Sequence, residues 1–303
     1  MNKPRRAPRR RVDGVLLLDK PPGMSSNAAL QKVRWLFNAE KAGHTGTLDP
    51  MATGLLPLCF GEATKFSSTL LDADKTYEAT VKLGVTTDTA DAEGKVMEER
   101  PVDATRAQAN AVLASFLGEI EQVPPMHSAL KRDGVPLYEL ARKGIEVERA
   151  ARRVTIHSIE MLGWRGDGFD LRVACSKGTY IRTLAADIGS ALGCGAHLSA
   201  LRRTRVGALE IAQAVTLEAI EAAAAGRDAL LQPADALLAD VPVAQLTETE
   251  TARLLQGQAI RWSGEPSSER RLFATQGFIG LGECTADGWL KPKRLIATAA
   301  ASI

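Results

Sequence analysis

The sequence predicts an α+β fold: a mixed, largely antiparallel sheet flanked by helices, with a small β-rich unit at the C-terminal end. Three observations predict it. Residues 75–83 and 169–175 alternate strictly between apolar and polar side chains, the mark of strands that bury one face. Apolar residues at helical spacing follow capping residues elsewhere. From Val241 onward, short apolar runs around Phe273, Phe278 and Trp289 are punctuated by Gly277, Gly280, Gly282 and Gly288. At 303 residues, one large domain plus a small one is expected, with bounds at 13–240 and 241–303. Residues 1–12 read as a basic, disordered tail.

Taken in order, residues 14–18 form an apolar run between charges, consistent with a buried strand. Lys20-Pro21-Pro22-Gly23 breaks it. Ser25 or Ser26 then caps a helix with Leu30, Val33 and Phe37 on one face. Residues 55–58 read as buried. Tyr77, Ala79, Val81 and Leu83 share the apolar face of the next strand. Residues 84–94 are polar and turn-rich, a loop near the site. Thr105 and Gln108 form a capping box before a structural helix. The strand over 169–175 runs through Gly178 into a helix with Ile181, Leu184, Ile188 and Leu192 on one face. Such a junction places polar groups at a helix N-terminus, where anions are favoured. An alanine-rich helix is expected over 216–226.

Composition excludes several classes. The net charge of +2 does not announce a nucleic-acid binder, but the basic residues are clustered. Lys3, Arg5, Arg6, Arg9, Arg10 and Arg11 precede the first acid; Arg202, Arg203 and Arg205 form a second group, and Lys291, Lys293 and Arg294 a third. No apolar run approaches the ~18 residues of a membrane span. The four cysteines are scattered without a C-x-x-C pair and read as reduced thiols of a cytoplasmic protein, and the four histidines have no metal-ligand spacing.

One stretch concentrates the chemistry. Residues 43–54, GHTGTLDPMATG, hold three glycines, a proline and one carboxylate, Asp49. Pro50 pushes Asp49 towards extended geometry, so Asp49 sits on an ordered loop. Such a loop can present a carboxylate to a substrate, and it can equally be an ordinary turn. Its spacing is not that of a phosphate-binding loop. Read singly, Tyr77 and Leu201 fit a core, Arg182 a surface, and His44 a loop histidine bonded to backbone.

The run GHTGTLDPMATG resembles the catalytic signature of the TruB family of tRNA pseudouridine synthases, and LDKPPGMSS at 18–26 resembles that family's first motif. QVPPMHSALK at 122–131 is similar to its Q-x-P-P-x-Y-S-A-x-K motif, with His127 where tyrosine is commoner. SKGTYIRT at 176–183 and GAHLSALRRT at 195–204 match two more. The end of the chain resembles a PUA module less closely. The resemblance implies a pseudouridine synthase fold and isomerisation of uridine to pseudouridine in the TΨC loop (position 55) of tRNA. It implies Asp49 as nucleophile, Arg182 as its partner, and Tyr77, Tyr180 and Leu201 around the flipped base. His44 would fill the space that the base vacates. The first motif would buttress the Asp49 loop. No cofactor, metal or protein partner is implied, and a monomer acting on the tRNA T-arm is expected. The alternative is a non-catalytic RNA-binding or RNA-folding protein on the same fold, which would have no need of Asp49.

Overall fold

A computed structural model describes residues 8–128, 130–132, 134–264 and 269–297. Lys3, Arg5 and Arg6 of the basic tail, and Ala129 of the QVPPMHSALK run, lie outside the described residues. The elements that position the site are β1 (Gly14–Lys20), α1 (Ser26–Leu36), β2 (Ala42–His44), β3 (Thr53–Phe60), β4 (Lys75–Leu83), α2 (Arg106–Ser115) and β5 (Gly118–Gln122). They continue with β6 (Arg152–Trp164), β7 (Gly168–Cys175), α3 (Ile181–Ala191), β8 (Ala196–Val206), β9 (Val215–Thr216) and α4 (Leu217–Ala222). These strands belong to one ten-stranded sheet, ordered β9-β1-β3-β8-β4-β7-β6-β5, with β2 paired on β3. The sheet is mixed and largely antiparallel: only β1·β9 and β3·β8 run parallel.

The predicted alternation in β4 is borne out. Tyr77, Ala79, Val81 and Leu83 are all buried, while Thr76, Glu78, Thr80 and Lys82 are half-buried on the other face. The strand lies between β7 and β8 at the centre of the sheet. The helix α1 starts where Ser25 accepts a bond from the Ala28 amide at 3.1 Å, and it buries Ala29, Leu30 and Val33. The Thr105–Gln108 capping box opens α2.

Two expectations are corrected. The alanine-rich helix is shorter than expected: α4 ends at Ala222, Ala224 takes φ 45°, and a 3₁₀ turn follows. Only Leu217 and Ile220 are buried there, so a longer helix would have no apolar face to pack, and packing outweighs propensity. Arg227 closes the end by donating to the carbonyls of Ile220 and Glu221. At the other end of the chain, residues 8–12 of the expected tail are tied to the domain. Arg10 donates to the Phe37 carbonyl and pairs with Asp228, and Val12 is buried.

The C-terminal unit is a five-stranded sheet, β10 (Val243–Gln245), β12 (Glu269–Ala274), β13 (Gly277–Cys284), β14 (Trp289–Leu295) and β11 (Ile260–Arg261) in that order, with α5 over Glu248–Leu255. It shares an apolar cluster with the larger domain: Leu281 and Phe278 pack with Val15, Leu17, Leu55 and Phe66. The Phe66 and Phe278 rings meet edge to face at 5.4 Å.

Candidate active site

The loop between β2 and β3 is held from three sides. Ser26, at the start of α1, donates to the Leu48 carbonyl at 3.0 Å and accepts from the Leu48 amide at 2.8 Å. Lys20, at the end of β1, is fully buried, and its Nζ donates to the carbonyls of Pro21, Met24 and Pro50. The Gly23 amide donates to Pro50 as well. Three backbone acceptors replace the water that the ammonium loses, which is how a buried lysine is tolerated. Burial still pushes it down to about 8, against the pull of Asp49. The expected role of the first motif is thus visible as bonds on both sides of Asp49.

Two glycines let this loop close on the sheet. Gly46 has φ +77°. At Gly54 (φ +98°) a Cβ would stand 2.3 Å from the carbonyl oxygen of Arg203 in β8, so no other residue fits there.

Arg182, the second residue of α3, is 4% exposed rather than on the surface. Its Nε lies 3.0 Å from Asp49 Oδ2, its Nη1 lies 3.3 Å from Asp91 Oδ2, and its Nη2 donates to the His127 carbonyl at 2.6 Å. A planar fork meets these three acceptors with three separate nitrogens; the single nitrogen of a lysine could not reach all of them from this position. Asp91 is itself fixed by the Thr89 hydroxyl at 2.6 Å and the Glu93 amide at 3.0 Å. The departure at His127 is met by the backbone: what Arg182 uses is a carbonyl that any residue supplies.

Asp49 keeps 35% of its side chain exposed. Burial raises its pKa above the usual carboxylate value, Arg182 pulls it down, and Asp91 adds to the rise. The carboxylate opens on a cavity of about 640 Å³ lined by Tyr77, Tyr180, Leu201, Arg182, Asp91 and His127. Tyr180 precedes α3 and is gripped through its backbone. Gln122 accepts from its amide at 2.7 Å and donates to its carbonyl at 3.1 Å. The expected residues Asp49, Tyr77, Tyr180, Arg182 and Leu201 therefore meet at one cavity. His44 does not line it. It ends β2, half-buried, and burial with the nearby Arg203 charge holds its imidazole below the usual range. Among the described residues, no group of three or more His, Cys, Asp or Glu is placed to hold a metal ion.

Against known families, residues 34–181 match the N-terminal domain model of TruB family pseudouridylate synthases. Residues 182–239 match the tRNA pseudouridylate synthase B C-terminal domain, and residues 242–296 match the C-terminal model of pseudouridine synthase II TruB. The chain belongs to the TruB family of tRNA pseudouridine synthases. It is 63% identical to tRNA pseudouridine synthase B of Azoarcus sp. (strain BH72), over 97% of this chain and 98% of that one. It is 59% identical to the protein of the same name from Dechloromonas aromatica (strain RCB), over 96% and 97%. Among solved structures, it superposes on a chain of a Cbf5-Nop10-Gar1 complex with a TM-score of 0.71 at 27% identity, covering 93% of this chain and 84% of that one.

Sequence reasoning missed Asp91, Thr89, Gln122 and the burial of Arg203. Asp91 stands in TTDTADAEG beside Asp88, and nothing in that run separates the buried acid from its exposed neighbour. Gln122 was within a matched motif, but its target lies 58 residues away. Of the basic group Arg202, Arg203 and Arg205, Arg202 pairs with Asp19 at 2.7 Å, Arg203 is 1% exposed, and Arg205 is exposed.

Proposed function

We propose that this chain converts uridine to pseudouridine at position 55, in the TΨC loop of tRNA, with Asp49 as the nucleophile. The observation that carries the reading is the Arg182–Asp49 pair on a cavity that Tyr77, Tyr180 and Leu201 also line. The names of the TruB relatives supply the substrate class.

The reaction is an isomerisation. The bond from N1 of the base to C1′ breaks, the base turns, and C5 bonds to C1′. The proton on C5 is lost and one is gained at N1, so no outside reagent is consumed. Asp49 attacks C1′ or stabilises the glycosyl cation, and either role needs the ionised carboxylate. Arg182 favours that form and aims it. Tyr77 lies against the base, Tyr180 lines the pocket and Leu201 supplies an apolar wall. Flipping the uridine out of its stack costs a few kcal/mol. Stacking on an aromatic ring returns about 1–3 kcal/mol, enough to offset it. His44, neutral beside the loop, fills the space the base leaves in the T-arm.

Nucleoside analysis of a treated T-arm tests this. One uridine replaced by pseudouridine, with no free uracil, supports the isomerase. Free uracil identifies a hydrolase, and unchanged RNA with tight binding identifies an RNA-folding protein.

A further inference from the structure

Arg203 is among the largest fully buried side chains in the molecule, and among the described residues no carboxylate pairs with it. A buried guanidinium without a counter-charge is costly. Its surroundings give a reason for its presence. Nε donates to the Leu55 carbonyl in β3 at 2.8 Å, and Nη2 donates to the Gly46 carbonyl, three residues before Asp49, at 3.1 Å. Its backbone lies opposite Gly54, so closely that a Cβ there would collide with it. One residue thus touches both ends of the loop that carries Asp49. In the sheet Arg203 also pairs in register with Tyr77, and its charge opposes the rise in the Tyr77 pKa that burial causes.

We propose that Arg203 is a positioning residue for the reaction: it clamps both ends of the Asp49 loop and stands opposite Tyr77 in the strand pair, fixing carboxylate and ring at a set separation. The proposal rests on the reading of Asp49 and Tyr77 given above. The guanidinium is a rigid planar fork, so a lysine keeps its charge yet loses simultaneous contact with Gly46 and Leu55. Asp49 and Tyr77 then drift relative to each other while the outer RNA-binding surface stays as it was.

The test compares wild type, Arg203→Lys, Tyr77→Ala and the double variant on a tRNA T-arm, with thermal melting to confirm folding. A misplacement near 1 Å costs on the order of 100-fold. We therefore expect Arg203→Lys to lose about 100-fold in kcat with KM within about threefold, a split that marks loss of transition-state interactions. The loss should not multiply in full with that of Tyr77→Ala, because once the ring is gone its placement no longer matters. Arg203→Gln, which relieves the buried charge, keeps the test open if the lysine variant fails to fold, and the same kcat-selective loss is expected. Folded variants with wild-type kcat, or losses that multiply in full, would overturn the proposal. Failure of the underlying reading is distinct: it would show as normal turnover by Asp49→Asn.

Discussion

Arg182 holds Asp49 and Asp91 at once, at 3.0 and 3.3 Å, from a guanidinium almost wholly out of water. Asp91 is equally buried, with 5% of its side chain exposed. Removing the arginine leaves that acid without a counter-charge. Arg182→Met should therefore cost about 3–5 kcal/mol of stability and abolish turnover. Urea unfolding checks the first and a single-turnover assay the second. A loss of stability below about 1 kcal/mol, the scale of a surface pair, would contradict the pairing.

The second acid has its own signature. The Asp91 charge helps raise the Asp49 pKa. In the proposed mechanism the ionised Asp49 is the working form, so turnover in the wild type should fall, as pH drops, at a higher pH than an ordinary aspartate would give. In Asp91→Asn that acid limb should move to lower pH, and the maximal rate should fall because Arg182 is less well held. An acid limb that moves upward would show that Asp91 acts on Asp49 chiefly through Arg182. For stability the sign is opposite to that of an acid whose folded pKa is depressed. Because the folded value is raised, the Asp49 contribution is most favourable below the unfolded pKa and declines as pH rises through the folded one.

Lys20 should make turnover and stability diverge in alkaline solution. Its three carbonyl partners need all three N–H donors, so losing a proton as pH rises through about 8 loosens Pro50, next to Asp49. Turnover is expected to fall across that range. The folded value lies below the usual 10.5, so this group's cost to folding is fully present below pH 8 and fades towards 10.5. Melting followed beside activity from pH 7 to 10 checks this, with Lys20→Met expected to lack the limb. An unchanged limb in Lys20→Met would assign it to another group.

Gln122 acts as a backbone mimic for Tyr180. Gln122→Leu leaves the partly buried Tyr180 amide without a partner, at a cost of about 1–3 kcal/mol, and leaves its carbonyl with the Leu184 amide alone. Gln122→Glu keeps the acceptor for the Tyr180 amide and loses the donor to its carbonyl, so it should destabilise less. Urea midpoints order the two variants. Equal losses would mean that the fork does not fix Tyr180.

Much of the fold was legible because its signals are local. The β4 alternation, the Ser25 cap and the Thr105–Gln108 box each depend on residues within one element. The glycines of the Asp49 loop could be seen, but not what they make room for. Gly54 is explained only by Arg203, which lies about half the chain away and becomes its neighbour through the parallel β3·β8 pairing. The same long-range closure buries Arg203, while Lys20 is buried where the carbonyls of Pro21, Met24 and Pro50 converge. Alternation cannot show this, because a strand pattern does not reveal which backbone carbonyls will converge on a cation. Arg182 illustrates the limit most plainly: helix periodicity left it free to face water, and the acceptors that bury it come from three separate loops.

The central claim is that Asp49 drives an isomerisation in which C5 of a uridine becomes the glycosidic carbon. A tRNA T-arm labelled with tritium at uracil C5 tests it most directly, because forming that bond releases the label. With wild type and Asp49→Asn side by side, the account predicts release by the wild type alone, tight RNA binding by both, and every base still attached. Release by Asp49→Asn at the wild-type rate, or none by either protein despite binding, would contradict it.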